Sequence, residues 1–226
     1  MKIAAKYFPG GRMKCLTMSY DDGVHFDRRL VEIFNQNGIR GTFHLNSGAF
    51  DNGWNVDSKE VKELYAGHEV SVHTVNHPDL RHVTDAGLVQ EIIEDRRQLE
   101  ALCGYPVRGM SYPFGNYNDH IKAMLPGLGI EYSRTVKDTM QFDLPNNFLE
   151  WHPTAHHNHD IANLGKRFLE LNCTWCWSVF YVWGHSFEFE GQKTWGVIEV
   201  FCKQMRGHDE IWYATNIVIV DYVNAV

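Results

Sequence analysis

Two short segments far apart in the chain carry side chains that could together bind a metal ion. The first spans residues 19–23 and contains the adjacent carboxylates Asp21 and Asp22, followed by Gly23, which allows a tight turn. Neighbouring carboxylates on an extended segment point in different directions, so one can bind a metal while the other stays free as a base. Taken alone, the pattern is also typical of a solvated Asp-Gly turn.

The second segment carries two imidazoles four residues apart, His73 and His77. Imidazoles at this spacing commonly bind divalent metals, and in a helical turn they lie on one face. Pro78 disfavours a helical conformation at His77, so we expect a single turn rather than a long helix. The alternative is a polar loop without function, since the chain has 13 histidines and some such spacing arises by chance.

One carboxylate and two imidazoles form a facial set of ligands that leaves coordination positions open. A structural zinc site has a fourth protein ligand, whereas an open site keeps water and lowers its pKa towards ~7. This chemistry suits hydrolysis of an unactivated amide or ester. The pattern therefore predicts one divalent metal, with zinc as the preferred ion.

The elements that must position these residues alternate between apolar strands and amphipathic helices. Strands are predicted at 15–18, 41–45, 69–73, 107–112, 130–136, 178–183 and 211–213, and helices at 27–37, 57–67, 84–102, 118–128, 161–171, 195–205 and from 215 onward. Recurrent βα units with short connections predict an α/β fold with a parallel sheet. About seven strands favour a closed or nearly closed barrel, and we expect residues 1–226 to form a single catalytic domain.

Active sites of β/α barrels lie at the C-terminal ends of the strands. Four predicted strands end at polar residues, which are Asp21, His73, Tyr112 and His185. We therefore expect these four residues to converge, although His185 could instead be a histidine of the core.

Five short motifs, taken in order, resemble those of the polysaccharide deacetylase family, the fourth family of carbohydrate esterases. They are Ser-Tyr-Asp-Asp-Gly at 19–23, His-Thr-x-x-His at 73–77, Tyr-Pro-Phe-Gly at 112–115, Trp-x-Pro at 151–153 and Trp-Gly-His at 183–185. The resemblance covers residues 14–186 and includes relatives that deacetylate chito-oligosaccharides. It implies a distorted (β/α)7 barrel.

The resemblance also implies a role for each matching residue. Asp22, His73 and His77 would bind the metal, Asp21 would act as the general base, and His185 would be the general acid that protonates the departing amine. Aspartate and histidine also suit these two proton transfers on chemical grounds, because one is ionised at neutral pH and the other titrates near it.

Three further residues would contact the substrate if the resemblance holds. The backbone N–H of Phe114 would stabilise the oxyanion of the tetrahedral intermediate. Tyr112 belongs to the same motif, and Trp151 would form the wall of the pocket that faces the acetyl methyl group.

Two departures from the family's motifs leave the orienting residues open. Ser111 stands where the third motif has an arginine that orients the base, and Arg108 and Arg134 are candidate substitutes. Glu150 stands where the fourth motif has an aspartate, so Glu150 and Asp143 are both candidates for the partner of His185.

Composition excludes several classes of partner. The formal net charge is -7 and no block of lysine or arginine is present, which argues against nucleic acid. No apolar run approaches membrane-spanning length. The first residues lack an apolar export segment and the five cysteines are an odd number, so we expect reduced thiols and a cytoplasmic protein. The oligomeric state stays open.

These observations favour a metal-dependent hydrolase that acts on carbon–nitrogen bonds other than peptide bonds. Its reaction would remove acetyl groups, with N-acetyl favoured over O-acetyl, from a small or oligomeric acetylated sugar. One alternative is an allantoinase-like hydrolase of a non-sugar C–N bond; such relatives tend to lose metal ligands, and this chain keeps all three. Another is a catalytically inactive carbohydrate-binding relative, which the missing arginine favours and the retained Asp21 and His185 oppose.

Overall fold

A computed structural model of the chain describes residues 7–172 and 177–226, and within these residues eight strands form one sheet. The strands are Lys14–Asp21 (β1), Gly41–Leu45 (β2), Glu69–Val72 (β3), Gly109–Ser111 (β4), Tyr132–Arg134 (β5), Ala155–His156 (β6), Ser178–Gly184 (β7) and Ile211–Tyr213 (β8). All residues of β1 are buried, as expected for a parallel strand covered on both faces.

Helices follow most of the strands. They are Asp27–Gln36 (α1), Val61–Leu64 (α2), Asp85–Cys103 (α3), Asp119–Met124 (α4), Ile161–Glu170 (α5), Ser186–Gly191 (α6), Trp195–Met205 (α7) and Asn216–Ala225 (α8). Short 3-10 turns lie at Pro9–Gly11, Ser47–Ala49, Ser58–Glu60, Leu80–His82, Pro113–Gly115, Leu125–Leu128 and Phe148–Glu150. Local residues mark both ends of α3. At its start, the Thr84 side chain accepts a hydrogen bond from the backbone N–H of Gly87, and at its end Gly104 adopts the left-handed conformation.

The strands lie in the order β5-β4-β3-β2-β1-β7-β6, and their pairings are parallel. The β8 strand pairs with the first three residues of β1, before the point where β2 begins to pair with it. All strands therefore direct their C-terminal ends to the same side of the sheet, which is where a site can form.

Backbone hydrogen bonds close the gap between β5 and β7. The Trp151 N–H donates to the Ser133 carbonyl at 2.9 Å, and the Thr135 N–H donates to the Trp151 carbonyl at 3.0 Å. A few residues later, the Thr154 N–H donates to the Tyr181 carbonyl at 2.8 Å. The segment that leads into β6 thus joins β5 to β7, and the predicted distorted (β/α)7 barrel is confirmed.

Two local predictions were wrong in detail. The helix expected at 57–67 divides into the 3-10 turn Ser58–Glu60 and the short helix α2, and the Ser58 backbone N–H and hydroxyl both donate to Asp51. The β6 strand lies between the predicted strands 130–136 and 178–183, where no strand was predicted, since two residues are too short to show a periodic pattern.

Three of the five cysteines lie within the described residues. Cys15, Cys103 and Cys202 are buried and free, while Cys173 and Cys176 lie outside the described residues. Across the described ranges, every helix falls short of the length and apolar character needed to cross a membrane.

Candidate active site

The C-terminal ends of three strands bring together the five residues that could do the chemistry. His73 Nε2 lies 3.6 Å from Asp22 Oδ1 and 3.7 Å from Asp21 Oδ2. His77 Nε2 lies 3.9 Å from Asp22 Oδ1, and His185 Nε2 lies 4.0 Å from Asp22 Oδ2. The structure therefore places all the proposed ligands and proton-transfer groups around Asp22.

The residues Asp22, His73 and His77 fit a divalent metal. One ligand atom from each lies within 4.8 Å of the other two. The Nδ1 of His73 faces the Ser111 carbonyl oxygen at 3.0 Å, which can only accept a hydrogen bond. The proton therefore sits on Nδ1, and the lone pair of Nε2 points towards Asp22, as a ligand requires. Burial lowers the pKa of His73, so the ring stays neutral.

Backbone strain is concentrated at this site. Seven non-glycine residues among those described have positive φ, and four of them surround the candidate metal position: Asp22 (75°), Thr74 (70°), His77 (54°) and Phe114 (57°). Such conformations cost about 1–3 kcal/mol each and persist where the surrounding structure enforces them, which is typical of functional sites. The expectation of a helical turn at 73–77 is therefore wrong; a loop, closed by the His77 N–H donating to Thr74 Oγ1 at 3.1 Å, brings the imidazoles together.

Buried polar side chains hold this loop in place. The Asn46 amide donates to the carbonyls of His73 and Thr74 at 2.6 and 2.9 Å. The Asp95 carboxylate, which is fully buried, accepts the backbone N–H of Ser47 at 2.7 Å and of His73 at 3.0 Å. Neither role is visible in a local sequence pattern, because both depend on contacts between distant segments.

Arg134 replaces the arginine that the third motif lacks. It is completely buried, and its guanidinium forms an ion pair with Asp21 and packs over the Trp183 ring at 4.4 Å. Arg134 on β5 is the register partner of Ser111 on β4. The missing positive charge is thus supplied from the position directly beside it on the next strand.

Arg108, the other candidate substitute, does not reach Asp21. Its guanidinium binds Glu131 at 3.0 Å and Asp221 at 2.7 Å, and both carboxylates are exposed. The structure therefore selects Arg134 as the partner of the candidate base.

Charge interactions keep Asp21 ionised. Burial opposes ionisation, but the Arg134 guanidinium outweighs it, so the pKa of Asp21 lies well below its usual range. The Ser111 hydroxyl also donates to Asp21 Oδ1 at 3.3 Å. Asp21 is therefore an anion at neutral pH, as a general base must be.

Replacing Arg134 with methionine should lower both activity and stability. The buried Asp21 would lose its counter-charge, which typically costs about 3–5 kcal/mol, and its pKa would rise, so activity should be lost on the acid side of the pH profile. Turnover against pH and thermal unfolding measure these effects. Arg108→Met is the matched control and should behave nearly as wild type; an unchanged pH profile in Arg134→Met would contradict the assigned role.

His185 contacts Glu188 rather than either predicted partner. Its Nδ1 lies 3.5 Å from Glu188 Oε2. Burial lowers the pKa of His185, but the contact with Glu188 outweighs it and the net shift is upward. Glu150 instead binds Lys122 at 2.6 Å, so it is not the partner of His185. Asp143 bridges Ser178 at the opposite end of β7, about 20 Å away along the strand.

Tyr112 and Trp151 lie in the core rather than on the surface of the site. The Tyr112 hydroxyl donates to the Leu149 carbonyl at 2.7 Å. Trp151 is 1% exposed, and its ring packs against Tyr181 with 4.8 Å between centroids. Both side chains thus support the strands and turns that carry the site, and neither offers a polar group to a ligand.

Phe114 lies at the mouth of the site. Its side chain is 61% exposed, and its ring packs edge-on against His77 with 4.4 Å between centroids. The left-handed conformation of Phe114 and the adjacent Gly115, where an added Cβ would meet Val136 at 2.2 Å, define the turn. The aromatic ring therefore covers one side of a candidate metal ligand.

A cavity of about 420 Å³ adjoins the metal position. It is lined by Asp22 and His77 together with Asn46, Asn76 and Trp54. The Trp54 side chain is 51% exposed. Its carbonyl accepts the backbone N–H of His25 at 2.9 Å, which fixes the loop that carries the indole. The cavity thus combines a fixed aromatic face with amide groups, beside the candidate ligands.

Comparison with known proteins identifies relatives of the chain. The family model for polysaccharide deacetylase matches residues 10–133. Among curated proteins, a chitin deacetylase of Colletotrichum lindemuthianum is 29% identical over 133 residues, which cover 57% of this chain and 53% of that protein. The chain thus spans about half the length of the curated relatives it matches.

Solved structures share the fold over nearly the whole chain. A protein from Mycobacterium smegmatis that is assigned to the polysaccharide deacetylases aligns with a TM-score of 0.75 at 15% identity, covering 96% of this chain and 92% of its own. An allantoinase aligns with a TM-score of 0.72 at 12% identity, covering 97% and 93%. At such low identity these likenesses show the fold alone.

Proposed function

The chain belongs to the polysaccharide deacetylase family, and on that premise we propose that it hydrolyses acetyl groups, N-acetyl in preference to O-acetyl, from a carbohydrate. One observation carries the proposal: three candidate metal ligands adjoin both a buried, ionised carboxylate and an imidazole. This is the full set of groups that metal-assisted amide hydrolysis needs.

We infer that Asp22, His73 and His77 hold one divalent metal, and zinc suits this set of imidazole and carboxylate ligands. When bound, the metal would polarise the acyl oxygen and make water a stronger nucleophile at neutral pH. Support for this ligand set comes from the orientation of His73, whose Nδ1–H faces the Ser111 carbonyl oxygen and leaves Nε2 available.

Asp21 would take the proton from the attacking water. Its ion pair with Arg134, formed through Oδ2, keeps it ionised, and Ser111 donates to Oδ1. Oδ2 also lies 3.7 Å from His73 Nε2, so this oxygen faces the candidate ligands. Each such proton transfer accelerates the reaction roughly 10²–10⁴-fold.

His185 would give its Nε2 proton to the departing amine. It approaches Asp22 from the end of β7, whereas His73 approaches from the end of β3. The base Asp21 ends β1, which pairs with β7, so the acid and the base come from neighbouring strands and both lie beside the candidate ligands.

The cavity beside Asp22 would bind a sugar ring next to the acetyl group. The apolar face of an aromatic ring packs well against the C–H groups of a pyranose, and amide groups can bond its hydroxyls. Trp54 and Asn76 supply these groups, whereas the amide nitrogen of Asn46 already donates to the carbonyls of His73 and Thr74. The similarity to a chitin deacetylase supports a substrate built from N-acetylglucosamine.

An acetate-release assay tests this function. The purified protein is offered N-acetylated chito-oligosaccharides, an O-acetylated sugar and allantoin, each with and without a chelator. We expect acetate from the N-acetylated sugars, less from the O-acetylated sugar, none from allantoin, and loss of activity with the chelator. Consumption of allantoin without acetate release would indicate the other C–N hydrolase, and no turnover of any substrate would indicate an inactive relative.

A further inference from the structure

The carboxylate of Glu188 lies among three imidazoles at the C-terminal end of β7. Its Oε2 is 3.1 Å from His156 Nε2, 3.0 Å from His157 Nε2 and 3.5 Å from His185 Nδ1. The same oxygen accepts the backbone N–H of His185 at 3.3 Å. His185 Nδ1 is buried and makes no hydrogen bond to any residue that the structure describes, and the Glu188 carboxylate lies beside it, at the edge of the ring that faces away from Asp22.

A second metal is one reading of this cluster, because single ligand atoms of His156, His157 and Glu188 lie within 4.8 Å of one another. The hydrogen bonding of His156 opposes it. Its Nδ1 accepts the backbone N–H of Asn158 at 3.1 Å, so in the neutral ring the proton sits on Nε2, which faces Glu188. A metal ligand needs a lone pair at that nitrogen, which is the arrangement found at His73. His156 therefore donates a hydrogen bond from Nε2 to the Glu188 carboxylate and does not serve as a metal ligand.

The His157 ring, the second imidazole beside Glu188, carries no positive charge that would neutralise this carboxylate. His157 is 1% exposed, and its ring stacks between Tyr20 and Phe189, with centroids 5.7 and 4.1 Å away. Burial lowers the pKa of His157 to about 4, so this ring is neutral at physiological pH. The negative charge of Glu188 is consequently available to His185.

We propose that Glu188 is the positioning residue for His185. It holds the ring with the Nδ1–H directed at the carboxylate and Nε2 directed at Asp22, where the leaving group would lie. The proposal rests on the proposed function of His185 as general acid. In that step the C–N bond breaks, the proton moves from His185 Nε2 to the leaving nitrogen, and Glu188 stays ionised throughout.

Helix capping is the competing role for this side chain, since Glu188 bonds a backbone N–H at the start of α6. Glu188→Gln separates the two roles because glutamine keeps an acceptor for that N–H and loses the charge. If capping were its only role, the variant would retain nearly all of its activity.

Kinetics on two substrates provide the first test. With Glu188→Gln we expect kcat on an N-acetylated sugar to fall roughly 10–100-fold with little change in KM. Acetate release from 4-nitrophenyl acetate, whose leaving group needs no proton, should stay within about threefold of wild type. Glu150→Gln is the matched control and should resemble wild type on both substrates. Equal losses on the amide and the ester would overturn the proposal.

Nitrogen NMR provides a second test that does not depend on turnover. In the wild-type protein, at a pH where His185 is neutral, we expect its proton on Nδ1, and in Glu188→Gln a mixture of the two tautomers; His185→Gln identifies the signals. A wild-type ring protonated on Nε2 would overturn the proposal even if the protein deacetylated sugars. So would a second equivalent of bound zinc that Glu188→Gln removes, because the carboxylate would then be a metal ligand.

Discussion

His73→Ala is expected to abolish metal binding and to lower acetate release by roughly 10³-fold or more, since the metal that His73 is proposed to hold would activate both the water and the acyl oxygen. His73 is 1% exposed, its Nδ1 is held by Ser111, and its Nε2 is 3.6 Å from Asp22 Oδ1. No other described imidazole besides His77 shares this ligand set. Elemental analysis of the purified variant and its rate on an N-acetylated chito-oligosaccharide measure both effects.

His156→Ala is the matched control, because it removes an imidazole from the neighbouring cluster and leaves the proposed ligands intact. It should retain one equivalent of metal. Circular dichroism confirms that each variant is folded. A folded His73→Ala protein that binds one equivalent of metal as tightly as wild type would contradict the ligand set.

Asp21→Asn is expected to keep the metal and to lose turnover by roughly 10²–10⁴-fold, the contribution of a general base. Asparagine has nearly the same shape but cannot take a proton at neutral pH. The substitution also leaves Arg134 without its counter-charge in a completely buried position, so some loss of stability should accompany the loss of rate.

Ser111→Ala serves as the control for Asp21→Asn. It removes an oxygen that donates to Asp21 Oδ1 at 3.3 Å and lies 2.7 Å from His73 Nδ1, but the backbone carbonyl of Ser111 still faces that nitrogen at 3.0 Å. We therefore expect a modest loss of rate and unchanged metal content. If Asp21→Asn turned over substrate nearly as fast as wild type, the base would have to be another residue.

The barrel could be predicted from the sequence because its strands and helices are marked by patterns of residues that are close together in the chain. Apolar strands alternate with amphipathic helices, and caps such as Thr84 at the start of α3 mark the boundaries. The β6 strand could not be predicted because its two residues are too few to show the alternation of apolar and polar side chains. It is recognised as a strand only by its pairing with β7. The loop at 73–77 was mistaken for a helical turn because its left-handed residues, Thr74 and His77, are enforced by contacts from other segments.

The convergence of Asp21, Asp22, His73, His77 and His185 could also be predicted, since they stand in recognisable motifs at strand ends. Their supporting residues could not. The choice of Arg134 over Arg108 depends on the register between β4 and β5, which no spacing along the chain reveals.

The partner of His185 illustrates the same limit. Glu150 and Asp143 were candidates because of their positions relative to a motif, yet Glu188 makes the contact. Its spacing of three residues from His185 was visible in the sequence as a signal of proximity on a helical turn. The neutral state of His157, which leaves the carboxylate free to act on His185, comes from burial and is visible only in the fold.

Titration of metal-free protein with zinc, followed by acetate release from an N-acetylated chito-oligosaccharide, tests the central claim most directly. We predict no activity in the chelator-treated protein, a linear increase up to one equivalent of zinc, and a plateau beyond it. Full activity before zinc is added, or an increase that continues to two equivalents, would contradict a single catalytic metal held by Asp22, His73 and His77.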